Sequence, residues 1–425
     1  MSKSRLGQPL TLPCGLELPN RLVKASIAEN LAGANGLPTT PQIKNVYSAW
    51  ANGGWGLVMS GNVEVDVRYL GQAYDGCIDK TRSHETTVEA FKDLARICKV
   101  KGTPTLLQLN HPGRQSPPGA GTKSFWDKSL APSPVPLNFG PGIISWLTST
   151  CLFGTPKEMT QADIEDVVNR FVYAATVAAE AGFDGIELHA AHGYLLSLFL
   201  SSKTNLRTDA YGGSPAARTK IVVDIIKAIR AAVPPTFCVG LKLNSTDHQT
   251  AGDAESKSEL SDALEQASLI AETGLDFLEV SGGSYEKPSC GHTNPRVKMV
   301  TGPKTQSKRT AARESYFLDF ARELRKAVPD MTLMVTGGFR TRQGMEAALA
   351  EGACDLIGIA RPAILNPSLP QNIIFNNELS DEDAKVYAKR IEVPYLAKLL
   401  GARAVGTGFE MKWYTDQLLT IQGSD

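Results

Sequence analysis

Short apolar runs recur along the chain, each closed by a cluster of turn formers and followed by a longer stretch whose apolar residues return every third or fourth position. The runs cover residues 21–26, 56–60, 104–109, 185–189, 239–243, 276–281, 333–337 and 355–359. Stretches with the helical period lie at 41–51, 83–101, 160–181, 215–232, 258–273, 309–327 and 341–351, and a further helix is expected at 382–400. The stretch at 160–181 shows the pattern clearly. Thr160 is placed to cap it, Asp163 falls in its first turn, and Ile164, Val167, Val168, Phe171, Val172 and Ala175 make one apolar stripe. Gly182, Gly274 and Gly352 stand just past their helices, where a left-handed residue is wanted.

Strands this apolar, alternating with helices, imply a parallel sheet buried on both faces and joined by right-handed crossovers. Closing the sheet on itself leaves no exposed edge. A doubly wound open sheet would instead call for a Gly-x-Gly-x-x-Gly turn after the first strand, and the chain has none there, nor a Gly-Lys-Ser/Thr phosphate loop. The expected fold is therefore α/β, a (β/α)8 TIM barrel over residues 1–370. A long Pro- and Gly-rich loop follows strand three at 110–156, and a helical C-terminal extension at 371–425 packs on the barrel or on a partner subunit, as in a homodimer.

Composition narrows the function. Lys+Arg and Asp+Glu number 44 each, so the net charge is zero, without the basic excess of a nucleic-acid binder. No run reaches the roughly 18 consecutive apolar residues of a membrane span. Residues 1–10 hold no apolar segment of the kind a signal peptide needs. The cysteines, Cys14, Cys77, Cys98, Cys151, Cys238, Cys290 and Cys354, form no Cys-x-x-Cys pair and read as reduced thiols. The chain is expected to be cytoplasmic, with no metal and no nucleic-acid or membrane partner.

In such a barrel the chemistry sits at the carboxyl ends of the strands. Gly337 and Gly338 after strand seven, with Arg361 after strand eight, suit a phosphate, because glycine amides approach closely and a guanidinium binds two oxygens at once. His189 and His192 end strand four with Tyr194 beside them. That pair is open to three readings: a zinc site lacking an obvious third ligand, two structural imidazoles, or two donors to one substrate oxygen with Tyr194 as proton source. Lys242, within an apolar strand, is either a Schiff-base amine or a fixed cation. Gln108 offers an amide to the edge of a heterocycle. Lys287, Arg296, Lys298 and Lys304 follow strand six and leave open a contact to a 2′-phosphate.

These residues lie in longer motifs. Leu18-Pro-Asn-Arg-Leu-Val23, Gln108-Leu-Asn-His-Pro-Gly-Arg114 and Gly185-Ile-Glu-Leu-His-Ala-Ala-His-Gly-Tyr194 resemble the Old Yellow Enzyme family of flavin-dependent ene-reductases. So do Phe199-Leu-Ser-Ser202, Asn205-Leu-Arg-Thr-Asp-Ala-Tyr-Gly-Gly213 and Arg218, and the likeness runs from about residue 6 to 370.

The resemblance implies an FMN enzyme that oxidises NADPH or NADH and reduces the activated C=C bond of an enone or enal. It places Ala25, Ser26, Ile27 and Ala28 along the flavin, Asn62 near it, Gln108 on its pyrimidine edge and Lys242 at its N1/C2 region. Gly338, Ala360 and Arg361 would hold the phosphate, with Ser281 and Gly282 nearby. His189 and His192 would bind the substrate carbonyl and Tyr194 would protonate carbon. The His-His pair resembles one branch of the family. Three positions depart from the common pattern: Lys242 stands where many relatives have Arg, Ala28 where Cys or Thr is usual, and Asn62 where a small residue is usual. An alternative within the resemblance is a pathway-specific flavoenzyme that isomerises, cyclises or dehydrogenates a larger metabolite, its pocket shaped by Phe125, Trp126, Phe139 and Trp146 of the long loop.

Overall fold

The computed structural model describes residues 4–124, 126–140, 146–245, 254–282, 308–389, 391 and 403–423. Eight parallel strands close into a barrel: β1 Leu22–Lys24, β2 Leu57–Glu64, β3 Thr105–Asn110, β4 Gly185–Ala190, β5 Cys238–Asn244, β6 Phe277–Ser281, β7 Leu333–Thr336 and β8 Leu356–Ile359. Each pairs with its neighbours in chain order, and β8 and β2 both pair with β1, which completes the ring. The crossover helices are α1 Pro41–Ala51, α2 His84–Cys98, α3 Gln161–Glu180, α4 Pro215–Ala232, α5 Ala254–Ala271, α6 Lys308–Ala327 and α7 Arg342–Ala350. Thr160 caps α3 in a reciprocal box with Asp163. Gly182, Gly274 and Gly352 have φ of 88°, 80° and 72°, the left-handed values their positions called for.

Alternation along the strands builds the interior in layers. Outward-facing residues such as Leu107, Ile186, Leu188, Leu241 and Leu278 join the main apolar core beneath the helices. Inward-facing Val23, Leu57, Leu106, Cys238, Phe277, Met334 and Leu356 fill the floor, and the antiparallel hairpin Leu10–Thr11/Glu17–Leu18 adds Leu12 and Leu18 to it. Glycine makes room for the largest of these side chains: a Cβ at Gly240 would lie 2.1 Å from Phe277 Cζ. Above the floor comes a fully enclosed polar layer, Gln108, Glu187, Lys242 and Glu279. The mouth lies above that.

Three expectations change. Strand two does not stop at residue 60 but runs to Glu64 through a register shift between Met59 and Asn62, so Asn62 lies inside the strand. The shift turns the Gly61 N–H onto Glu29 Oε1 at 2.9 Å. The tail is not helical over 382–389; Lys385 bridges to Thr341 there, and the C-terminal helix is Arg403–Leu418. Residues 390 and 392–400 of the expected helix lie outside the described residues. The long loop is partly ordered by its own elements, with Leu130–Ala131 pairing Lys157–Glu158 and Arg114 Nη1 donating to Val135 and Pro136 carbonyls. Its Phe139 is buried against Phe153, whereas Trp126 and Trp146 are exposed; Phe125 lies outside the described residues.

The floor yields a test. Gly240 has no left-handed φ, and the three atoms nearest an added Cβ all belong to the Phe277 ring. Gly240→Ala should lower unfolding free energy by about 1–3 kcal/mol in denaturant titration. The loss should shrink in a Phe277→Leu background; two strictly additive losses would contradict this packing.

Candidate active site

The mouth is built where β4 breaks into helix Leu195–Leu200. His192 has a left-handed φ of 59°, followed by Gly193 at 77°. A non-glycine residue holds that conformation only under constraint. Here its N–H donates to Asn244 Oδ1 and its carbonyl accepts from Gln115 Nε2, both at 3.0 Å. The turn brings three rings together: His189 and His192 centroids are 4.9 Å apart, His189 and Tyr194 4.7 Å.

The hydrogen bonds fix how the imidazoles are used. Ala191 N–H donates to His189 Nδ1 at 3.2 Å, which assigns the neutral ring's proton to Nε2. That Nε2 lies 3.2 Å from His192 Nδ1, and His192 Nε2 lies 3.0 Å from Ser281 Oγ. The pair is thus a directed chain ending on Ser281, not two donors converging on one point. Ser281, expected near the phosphate, has its hydroxyl against the second imidazole. Asn62 Nδ2 donates to the Tyr194 phenol oxygen at 3.4 Å, so Asn62 touches the phenol expected to supply the proton. Gly282 follows Ser281 at the strand end.

Beneath the rings, Lys242 Nζ lies 3.1 Å from Glu279 Oε1 and 3.6 Å from Glu187 Oε2, and Gln108 Nε2 donates to Glu187 Oε2 at 2.5 Å. Burial, then Glu279, pushes the Glu187 carboxyl well above its usual range. Burial opposes the Lys242 charge, but the two carboxylates outweigh it and hold the ammonium above its ordinary value. A lysine kept protonated in this way is a cation and a poor Schiff-base amine. Glu187 and Glu279 escaped the strand-end reading because they sit one layer down, two residues before His189 and Ser281; the two-residue period would have found them. Lys24 and Glu29 escaped it too. Lys24 is fully buried outside the barrel wall, donating to Met59 O at 2.8 Å, 3.6 Å from Glu29 and 3.7 Å over the Trp50 ring.

At the far rim, Gly337 and Gly338 have φ of 126° and 83°, which only glycine takes at no steric cost. Arg361, ahead of the short helix Pro362–Leu365, binds Glu410 Oε1 of the C-terminal helix at 2.7 Å and lies 5.8 Å from the Tyr414 ring. Ser26, Ile27 and Ala28 line the rim partly buried, and the Ser26 hydroxyl is buried with no partner. The Ala25 side chain packs into the floor core, and Ala360 packs against that core. The donor set fits FMN: an orphaned Ser26 hydroxyl, the Gln108 amide and Lys242 ammonium for a polar ring edge, and a glycine pair with Arg361 for a phosphate. Lys287, Arg296, Lys298 and Lys304 lie outside the described residues. Among the described residues the one cluster with metal-ligand spacing is Cys14, Cys238 and Asp276, on the floor side, where Asp276 already accepts from Arg230 and Val239 N–H.

Burial, and then neighbouring positive charge, pushes both His189 and His192 below the ordinary imidazole range. The unfolded chain protonates such rings near pH ~6.5, so their contribution to stability is present above that pH and is lost as pH falls. In histidine NMR the two rings should remain neutral from pH 5 to 8; a midpoint near 6.5 for either would contradict this electrostatic environment.

The chain is 48% identical over 417 residues to the NADH-dependent flavin oxidoreductase iliE of Neonectria sp., covering 95% of this chain but 52% of that protein. It is 44% identical to the NADH-dependent flavin oxidoreductase iliE of Hypocrea jecorina, covering 95% of this chain and 98% of that one. In fold it is similar to the Old Yellow Enzyme homologue of Zymomonas mobilis, with a TM-score of 0.68 at 23% identity over 88% of this chain and 94% of that one. The sequence pattern of the NADH:flavin oxidoreductase / NADH oxidase family matches residues 5–380. The chain belongs to that family, and with it to the FMN-dependent oxidoreductases that use a nicotinamide dinucleotide.

Proposed function

We propose that this enzyme reduces the activated C=C bond of an α,β-unsaturated carbonyl compound, in the branch of the family that binds the carbonyl with a His-His pair. FMN, when bound, supplies hydride taken from NADH or NADPH to the substrate's β-carbon. The observation that carries the reading is the neutral imidazole pair set against the Tyr194 phenol at the barrel mouth.

As hydride adds, negative charge grows on the carbonyl oxygen. His192 Nε2–H, which faces Ser281 Oγ at 3.0 Å, is the donor that oxygen would take over. His189 Nε2–H polarises that donor through His192 Nδ1. Neutral imidazoles suit this role, because they hydrogen-bond the developing charge more strongly than the ground-state carbonyl. Tyr194 gives its proton to the α-carbon, and the Asn62 amide steadies the phenolate left behind. Ser26, Gln108 and Lys242 would hold the FMN ring edge and Gly338 with Arg361 its phosphate.

A second reading keeps the cofactor and enlarges the substrate: a pathway-specific enzyme that isomerises, cyclises or dehydrogenates a bulky metabolite. It would draw on a groove of about 570 Å³ beside the loop that follows β1, whose lining includes none of the mouth residues. Phe139 and Phe153 of the long loop form one wall, and Met411, Thr415 and Leu419 the other. That volume is within the usual range for drug-sized ligands.

Anaerobic stopped-flow tests both readings. With reduced enzyme and 2-cyclohexenone, Tyr194→Phe should slow flavin reoxidation by roughly a hundredfold while FMN stays bound. An unchanged rate removes Tyr194 as proton donor. If cyclohexenone fails but a bulky enone such as chalcone is accepted, the second reading stands.

A further inference from the structure

The polar layer sets one ammonium against two carboxylates. Lys242 Nζ is 3.1 Å from Glu279 Oε1 and 3.6 Å from Glu187 Oε2, and both glutamates are fully buried. Gln108 supplies an N–H to Glu187 Oε2 alone. Glu187 Oε1 and Glu279 Oε2 make no hydrogen bond to a donor among the described residues, and Glu279 Oε1 faces the Lys242 ammonium. The remaining groups near Lys242 do not alter the charge count: His189 and His192 are neutral, and Lys24, across the wall, has Glu29 as its own counter-ion.

One carboxylate cancels the ammonium. A second, buried and unpaired, would cost several kcal/mol, so it keeps a proton and the trio is neutral. Lys242 stands directly under the mouth, and part of its charge is cancelled there while Glu279 lies against it. A reduced flavin carries more negative charge at its ring edge than an oxidised one, and only an uncompensated cation favours the reduced form.

We propose that Glu279 is a positioning residue for the cofactor's redox balance: paired with Lys242, it withholds the ammonium's charge from the ring edge above and so holds back binding of reduced relative to oxidised FMN. This rests on the assignment of the mouth to FMN. Three consequences follow from the same geometry. Neutralising Glu279 together with Glu187, which would otherwise ionise in its place 3.6 Å from Lys242, exposes the ammonium; removing Lys242 leaves no cation; and neutralising Glu187 alone changes little because Glu279 still cancels the ammonium.

The test is a dye-equilibrated potentiometric titration of the FMN-loaded enzyme at pH 7, with FMN affinity measured by fluorescence quenching. Glu279→Gln combined with Glu187→Gln should tighten reduced relative to oxidised FMN by roughly tenfold or more, raising the midpoint potential. Lys242→Met should lower it, and Glu187→Gln alone should move it less than the double variant. A double variant that binds FMN stoichiometrically with an unchanged or lower potential overturns the proposal. Should that variant not fold, Glu279→Asp draws the carboxylate back by one methylene and should shift the potential the same way by less; no shift overturns the proposal equally. A wild-type protein that takes up no FMN at all overturns the cofactor assignment, and this inference with it.

Discussion

Charge enclosed in a barrel must be balanced inside the barrel, and that constraint organises this molecule. Gln108, Glu187, Lys242 and Glu279 sit on an apolar floor of Phe277, Met334 and Leu106, buried from bulk solvent. Each group is tolerable only because the others are there. Neighbouring strands deliver them at matching heights: Lys242 pairs in register with Glu279, and Gln108 with Glu187. Sliding one strand by a single residue would turn its member of the set into the helix layer and leave the rest unbalanced.

The mouth inherits its properties from that layer. His189 lies in register with Lys242, and the lysine's charge adds to burial in keeping both imidazoles neutral. Neutral rings can pass one N–H to the next, and the chain from Ala191 through His189 and His192 to Ser281 is the result. The left-handed backbone at His192 is what turns the second ring onto the first; Asn244 and Gln115 hold it there. The side chains that would meet a substrate are therefore positioned by a strained turn above and kept neutral by burial and the lysine below.

Much of this was legible in the chain. Alternating runs implied the closed parallel barrel, because buried parallel strands are apolar on both faces and glycines punctuate their helices. The strand ends named His189, His192, Tyr194, Gln108, Lys242 and Arg361, and the structure brings the first five to one mouth and its polar layer. What escaped was set by partners distant in sequence. Glu187 and Glu279 look like ordinary charges until β4, β5 and β6 are laid side by side. The Asn62 contact with Tyr194 depends on a bulge in β2 that no local pattern marks. The run from Asn205 to Arg218, the most distinctive in the sequence, carries scaffolding instead of chemistry: Asn205 binds the Phe199 and Tyr211 carbonyls, Arg207 those of Pro132 and Met159, and Arg218 that of Leu200. Arg361, read as a phosphate ligand, also proves to be tied to Glu410 of a helix 49 residues on, whose placement the tail's own pattern misjudged.

The account as a whole turns on a redox cycle, which a visible absorption spectrum reads directly. The purified protein, supplied with FMN and held anaerobic, should show an oxidised-flavin spectrum that bleaches with NADH or NADPH and returns when an enone is added. A protein that stays colourless after FMN is supplied, or a bleached flavin that neither a small nor a bulky enone restores, would contradict it.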